Sequence, residues 1–281
     1  MKKLTFIFLT LLASFAFGQQ PDQIEIERIR YKELAAKEAE NITTQWGNVC
    51  DDETVQNIQS GIALGDKNIN DSVIDILYLK TLRFSHDTPL RYPKREDLIE
   101  LNSTAGLKDF ILAELAGKLP NWKLFKISTI MYGSDEKITD RLLELARLDP
   151  KNSINIIGAL IAGNLIDKKF EPIVLEAITS KETMRASVAA RYLKNDPIPS
   201  ALPALIKQYQ RPANSLEFMS KNPKINHEDL WRRSIGIAIL SYDPSELLEF
   251  SSVIQSLNKS VDFQRLSKPP YELILKKISE N

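Results

Sequence analysis

The sequence predicts an all-α protein whose C-terminal part is a stack of helical repeats. Two observations carry this prediction. Apolar residues recur at intervals of three and four residues along almost the whole chain, which is the spacing of amphipathic helices. The dipeptide Asp-Pro also returns every 47 residues in the second half of the chain. Stretches that alternate apolar and polar residues, as half-buried strands do, are few.

The predicted helices follow one another with mostly short connections. The first, 22–40, is amphipathic and rich in charge. The others lie at 52–64, 71–84, 105–118, 121–132, 134–148, 151–165, 168–179, 181–194, 200–210, 227–241, 244–257 and 269–279. Two longer polar segments with prolines, 85–96 and 211–226, are predicted surface loops. Helices joined in this way form either a bundle or a solenoid.

Self-similarity favours the solenoid. The three Asp-Pro pairs, Asp149-Pro150, Asp196-Pro197 and Asp243-Pro244, are spaced by 47 residues each. ETMRASVAARYLKNDP (182–197) aligns with DLWRRSIGIAILSYDP (229–244), and DEKITDRLLELARLDP (135–150) fits the same frame more loosely. Because a helical unit of this length buries its apolar face only against the next unit, such a period predicts a quasi-linear stack.

The Asp-Pro pairs have a mechanical role at helix starts. Aspartate accepts hydrogen bonds from the free N–H groups of the first turn, and proline is tolerated at the first helical position. Glu246, three residues after Asp243, predicts a capping box. In the middle copy Pro203 would lie too deep in a helix that began at Pro197, so that helix is predicted to start near Ser200.

The segments KETMRASVAARYLKNDPIPSALPALIKQY (181–209) and DLWRRSIGIAILSYDPSELLEF (229–250) resemble the HEAT-like (armadillo-type) helical repeat family related to phycobilisome lyase repeats. The resemblance covers 181–250 and is faint over 134–165. It implies a right-handed α–α superhelix, a HEAT/armadillo-like solenoid over 97–281, after a less regular helical region over 19–96. The resemblance also implies that the protein binds other proteins. Arg185 and Arg232, which recur in register, are the candidate repeated-surface or inter-repeat positions.

The N-terminus predicts export. Lys2 and Lys3 precede an apolar run from Leu4 to Phe17, and Ala16-Phe17-Gly18 places small residues where a signal peptidase reads. We expect a Sec signal peptide over 1–18, cleavage after Gly18, and a periplasmic or secreted protein. The run of 14 residues is shorter than the roughly 20 that span a bilayer, which disfavours a retained anchor and stable membrane insertion.

Net charge limits the classes of partner that the sequence predicts, and the cysteine content limits covalent links. Loss of Lys2 and Lys3 leaves 35 basic and 37 acidic residues, a net charge of −2. Nucleic-acid and anionic-membrane partners select for strong positive charge, so neither is predicted. Cys50 is the single cysteine, which excludes an internal disulfide, and its distance from the cleavage site excludes lipid attachment.

No catalytic residue, metal or cofactor is predicted. The two histidines, His86 and His227, have no ligand-type neighbours at zinc spacing. Asp66, Asn68 and Asn70 alternate as in a calcium loop, but the required glycine and glutamate are absent. We interpret them as a polar loop whose Asp71 caps a helix that starts near Ser72. The tryptophans, Trp46, Trp122 and Trp231, are predicted packing residues.

The resulting hypothesis is an exported, non-catalytic helical-repeat protein that binds a protein or peptide as a scaffold or adaptor. One alternative is a lyase-like enzyme on a HEAT-like scaffold, which would need a polar pocket with convergent acids. Another alternative treats residues 19–130 as a separate helical domain that carries the function, with the repeats as support.

Overall fold

The computed structural model describes residues 22–44, 52–81, 83–85, 88–91, 99–218, 227–253 and 270–280. The signal segment, Cys50, His86 and Trp46 lie outside these ranges. The fold is all-α, as predicted. Its α-helices are α1 Gln23–Thr44, α2 Asp52–Leu64, α3 Lys67–Lys80, α4 Ile99–Asn102, α5 Leu107–Leu115, α6 Trp122–Tyr132, α7 Glu136–Leu148, α8 Pro150–Ala162, α9 Glu171–Ile178, α10 Thr183–Asn195, α11 Leu202–Tyr209, α12 His227–Ile239, α13 Pro244–Leu248 and α14 Pro270–Ser279.

A short two-stranded ladder is a local departure from the strand-free prediction. Strands β1 (Arg83–Ser85) and β2 (Thr88–Arg91) pair antiparallel, where the sequence predicted the end of a helix and a loop. Segments of three and four residues are too short for an alternating pattern to register. Both strands are edges, which is where the proline of β2 is tolerated.

The chain forms two compact units, divided after Ile127 within α6. In the first unit α3 is central, because α1 and α2 both pack on it. Tyr31 is fully buried there and donates a hydrogen bond from its hydroxyl to the carbonyl of Asn57 at 2.7 Å. Gly61 of α2 faces the Tyr31 ring and Val73 so closely that an added Cβ would lie 2.6–2.7 Å from them. Close approach of α2 therefore requires glycine at this position.

The start of α3 corrects the sequence interpretation of the 66–71 segment. α3 begins at Lys67 and is capped by Asp66, whose Oδ1 accepts from the backbone N–H groups of Asn68 and Ile69 at 3.0 and 3.2 Å. Asp71 lies inside the helix and is exposed, so it caps nothing. The positive φ of Gly65 ends the preceding turn and lets α3 begin four residues earlier than the predicted 71.

Asp66 is also the partner of an arginine on α1. Arg28 donates from Nε and Nη2 to the two carboxylate oxygens of Asp66, at 3.1 and 2.7 Å. This fork joins the start of α3 to α1. Hydrogen bonding from Arg28 lowers the pKa of the Asp66 carboxyl below its ordinary value.

In the second unit, alternate helices pack on one another in a row. α8 packs on α10, α10 on α12, and α12 on α14, while α7, α9, α11 and α13 each pack on the helix that follows them. The starts of α8, α10 and α12, at Pro150, Thr183 and His227, are separated by 33 and 44 residues. The 47-residue frame of the sequence matches this row for α10 and α12. Its first copy falls instead on α7, which is outside the row.

The Asp-Pro pairs behave at two positions as helix starts. Asp149 accepts from the backbone N–H of Lys151 at 2.9 Å, and Pro150 opens α8. Asp243 forms a capping box with Glu246, whose carboxylate accepts from the Asp243 N–H at 3.1 Å. Asp196 instead ends α10, and α11 follows a 3₁₀ turn over Pro199–Ala201, close to the predicted start at 200.

Polar side chains from later parts of the chain donate hydrogen bonds to carbonyls at or just after the ends of earlier helices. Arg211 and Gln208 donate to the Ser180 carbonyl just after α9, at 2.9 and 2.8 Å. Arg232 of α12 donates to the carbonyls of Tyr209 and Arg211 after α11. Lys277 of α14 donates to the Leu240 and Tyr242 carbonyls after α12. Carbonyls at and just after a helix end have no partner within the helix, and these side chains donate to acceptors of that kind.

The predicted helix over 244–257 is shorter than expected. α13 ends at Leu248, a turn follows, and 251–253 is again helical, while 254–257 lie outside the described ranges.

We expect acid to weaken the link between α1 and α3. Because the pKa of folded Asp66 is lowered, its stabilising effect is complete above the ordinary aspartate value of about 4. The effect is lost as the pH falls through the lowered pKa. As the pH falls through this range, Asp66→Asn should therefore lose less stability than the wild type, as measured by denaturant unfolding at each pH. Asp71→Asn, on the same helix, controls for removal of one carboxylate.

A second prediction concerns two glycines, Gly158 inside α8 and Gly163 directly after it. An added Cβ at Gly163 would lie 2.8 Å from the Thr129 carbonyl oxygen, whereas one at Gly158 would meet nothing within 4 Å. Gly163→Ala should lower the free energy of unfolding by about 1–3 kcal/mol through overpacking. Gly158→Ala should raise it by about 0.5–1 kcal/mol through helix propensity. Urea denaturation measures both, and equal effects of the two changes would contradict this account of the α6–α8 contact.

Candidate functional site

An open groove of 570 Å³ lies between α10 and α12 in the second unit. Its lining combines apolar, hydroxyl and basic side chains and has no carboxylate. The lining residues are Met184, Val188, Leu230, Trp231 and Ile237; Thr183, Ser187 and Ser234; and Arg191, Arg233 and His227. The volume is within the range of small-ligand and peptide sites.

Helical spacing explains why these side chains share a surface. On α10 Ser187, Val188 and Arg191 follow Met184 at steps of three, four and seven residues. On α12 Arg233, Ser234 and Ile237 follow Leu230 at the same steps, so each set forms one helix face. The adjoining face of each helix is buried. Ala186, Ala189 and Ala190 occupy it on α10, and Gly236 and Ala238 on α12. These small residues let the two helices pack closely below the groove.

Arg185 and Arg232, the two candidate positions from the sequence, do not line the groove. Arg185 is 8% exposed and donates from Nη2 to Glu176 of α9 at 2.8 Å. Arg232 is 4% exposed and lies 2.8 Å from the carboxylate of Glu228, one turn earlier on α12. Each arginine contacts the helix that precedes its own. Their recurrence in the sequence corresponds to two inter-helix bonds that hold the walls of the groove.

The far end of the groove walls is fixed by two hydroxyl groups. Ser241 Oγ shares its single proton between the Ala238 carbonyl of α12 at 2.6 Å and the Leu193 carbonyl at 3.2 Å, and Tyr242 donates to the Ile198 carbonyl at 2.8 Å. Burial raises the pKa of Tyr242, so its phenol stays protonated and acts as a donor. The ends of α10 and α12 are thereby joined.

The near end is bounded by a segment that the sequence assigned to a loop. The Glu217 N–H donates to the Lys181 carbonyl at 2.9 Å, and the Thr183 N–H donates to the Glu217 carbonyl at 3.1 Å. This isolated parallel bridge places 211–218 beside the first turn of α10, where Thr183 lines the groove. Periodicity alone could not reveal a contact between positions 34 residues apart. The rest of the predicted loop, 219–226, is not among the described residues.

Trp231 combines a buried ring with an unused donor. The side chain is 2% exposed, as expected for a packing residue, and the Arg232 guanidinium lies 5.0 Å from its ring centroid. Its Nε1–H has no acceptor among the described residues, and His227 Nε2 likewise has no partner there. Both residues line the groove.

Two exposed arginines give the groove its charge. Arg191 stands on the α10 wall and Arg233 on the α12 wall, and within the described part of the chain neither forms an ion pair. Met184 and Leu230 are 44% and 55% exposed beside them. The surface therefore offers apolar contact and anion binding together.

A smaller pocket lies in the first unit among α1, α2 and α3. Its volume is 80 Å³, enough for a few water molecules. Beside it Lys80 of α3 approaches Glu38 of α1 at 2.9 Å in a buried ion pair. Because both charges are already paired, this pocket is a structural feature of the three-helix packing.

Within the described ranges, no three histidine, cysteine or acidic side chains converge as metal ligands do. In the same part of the chain, no helix combines the length and apolar character that crossing a membrane requires. No protein-family model matches this sequence, and no curated protein or solved structure matches it. The HEAT-like resemblance over 181–250 therefore stays a prediction from the residues themselves.

Neighbouring arginines on α12 provide a test of the groove walls. Arg232→Met should lower the free energy of unfolding by about 3–5 kcal/mol, because it removes a buried guanidinium that donates to the partly buried Glu228 carboxylate and to the carbonyls of Tyr209 and Arg211. Arg233→Met, one residue later and exposed, should change it by less than about 0.5 kcal/mol. Denaturant titration compares the two. A mild effect of Arg232→Met would show that α12 is held by other contacts.

Proposed function

We propose that this chain is an exported, non-catalytic helical-repeat protein of the HEAT-like kind, which binds a segment of another protein in the groove between α10 and α12. The export part rests on the signal-type pattern at 1–18. The binding part rests on the composition of the groove. A free protein of the periplasm or the cell exterior would use such a surface as a scaffold or adaptor.

The packing row supports a solenoid arrangement of the second unit. Successive members α8, α10 and α12 each contact the next, and a second helix precedes each of them in the chain. In a solenoid, every unit contacts its neighbours and leaves one face free for partners. The bonds from Arg185, Arg232 and Lys277 to preceding helices are the neighbour contacts that such a stack needs.

One observation carries the binding proposal: the open groove exposes Met184 and Leu230 beside two arginines that form no ion pair within the described part of the chain. Exposed apolar surface in a groove marks interaction sites. A partner that lays apolar side chains into the groove would cover Met184 and Leu230, and its polar groups would meet the arginines. An extended or helical peptide segment of a partner protein has both kinds of group.

The alternative of a lyase-like enzyme is less well supported by the same groove. General acid–base chemistry needs titratable groups that converge on one point. Among the described residues, the groove lining contains one histidine and no carboxylate or cysteine. These side chains favour ligand binding over proton transfer. For the option that the first unit carries the function, the pocket among its described residues has room for a few water molecules.

The proposal is tested by peptide selection on the chain from Gln19 onward. Peptides selected from a randomised display library should bind the wild type and lose at least about tenfold in affinity in Met184→Glu and Leu230→Glu, because each places a charge on the apolar wall. Lys194→Glu, exposed on α10 outside the groove, should leave affinity unchanged. Peptides that bind all four proteins equally would place the binding surface elsewhere.

A further inference from the structure

We infer that the segment bound in this groove is acidic, with carboxylates that pair with Arg191 and Arg233 on opposite walls. This inference rests on the proposed function and names the chemistry of its partner. Both guanidinium groups are exposed beside apolar side chains, and none of the described residues that line the groove is a carboxylate that would compete with a ligand. A partner with carboxylates would therefore meet uncompensated positive charge.

The positions along the helices set the pattern of the ligand. Arg191 follows Met184 by seven residues on α10, which is about 10 Å at 1.5 Å per residue. Arg233 follows Leu230 by three residues on α12. The matching peptide has apolar side chains near the helix starts and acidic side chains about one to two turns further along. An amphipathic acidic segment has this arrangement.

A nucleic acid also presents anionic oxygens, but the groove suits it poorly. Single-stranded nucleic acids bind by stacking bases on exposed aromatic rings along a groove of many cations. The Trp231 ring is buried, and the walls carry two arginines among mostly apolar and hydroxyl residues. The observations therefore favour an acidic peptide.

Three synthetic peptides test the inference on the chain from Gln19 onward. They share the same apolar positions and carry glutamate, glutamine or lysine at the others, and fluorescence anisotropy gives their Kd values. The glutamate peptide should bind about tenfold more tightly than the glutamine peptide, and this advantage should shrink as salt is added. The lysine peptide should bind most weakly.

Charge reversal provides the matched control. Arg191→Glu/Arg233→Glu should invert the order, so that the lysine peptide becomes the tightest ligand. Lys194→Glu/Lys207→Glu changes the net charge equally at exposed positions outside the groove and should preserve the wild-type order. All four substituted side chains are exposed, so far-ultraviolet circular dichroism should show wild-type helix content in both variants.

The outcomes separate the inference from the proposed function. Equal affinities for the glutamate and glutamine peptides, both weakened by Leu230→Glu, would overturn the acidic preference and leave the groove as a binding site. An oligothymidylate strand that binds more tightly than the glutamate peptide would also overturn it. Failure of all three peptides and of the selected peptides to bind would overturn both.

Discussion

The unpaired carbonyls at the ends of helices are the constraint on which the second unit depends. Every helix leaves its last carbonyls without partners inside the helix. Here Arg211, Arg232 and Lys277, which come later in the chain, donate to those oxygens after α9, α11 and α12. The same bonds satisfy the acceptors and link successive helices. A positive side chain near a helix C-terminus is also favoured by the helix dipole, which helps to offset the burial of Arg232.

The groove is a consequence of that arrangement. α12 is held to the end of α11 by Arg232, and the ends of α10 and α12 are joined through Ser241 and Tyr242. Ala189 and Gly236 are buried, while Met184 and Leu230 stand on exposed faces of α10 and α12 and line the open groove. Arg191 and Arg233 lie on the same two faces. Adjacent residues therefore have different roles: Arg232 supports the wall, and Arg233 faces the groove.

Several parts of the fold could be read from local sequence because their causes are local. The caps at Asp149 and Asp243 need only a carboxylate beside the first turn, and both were predicted. The cap of α3 was assigned to Asp71 instead of Asp66, because the choice depends on the end of α2 and on Arg28, 38 residues away. The β1–β2 ladder was missed because its strands are too short to show a period. Arg185 and Arg232 were identified by recurrence, but their partners at Glu176 and Tyr209 could not be, since no local pattern encodes those contacts.

The helices themselves were determined by the sequence alone, since apolar spacing, aspartate caps and prolines act within one or two turns. The sequence also showed which positions of α10 and α12 correspond, through the 47-residue alignment. Only the tertiary structure decided that α8, and not α7, is the helix that packs on α10, and that Met184 and Trp231 line one groove. The reason is physical: packing joins faces of helices that are tens of residues apart, and the free energy of burial depends on which faces meet. A repeat in the sequence records similar helix faces, but contact between the folded helices decides which of these faces form a core and which form a surface.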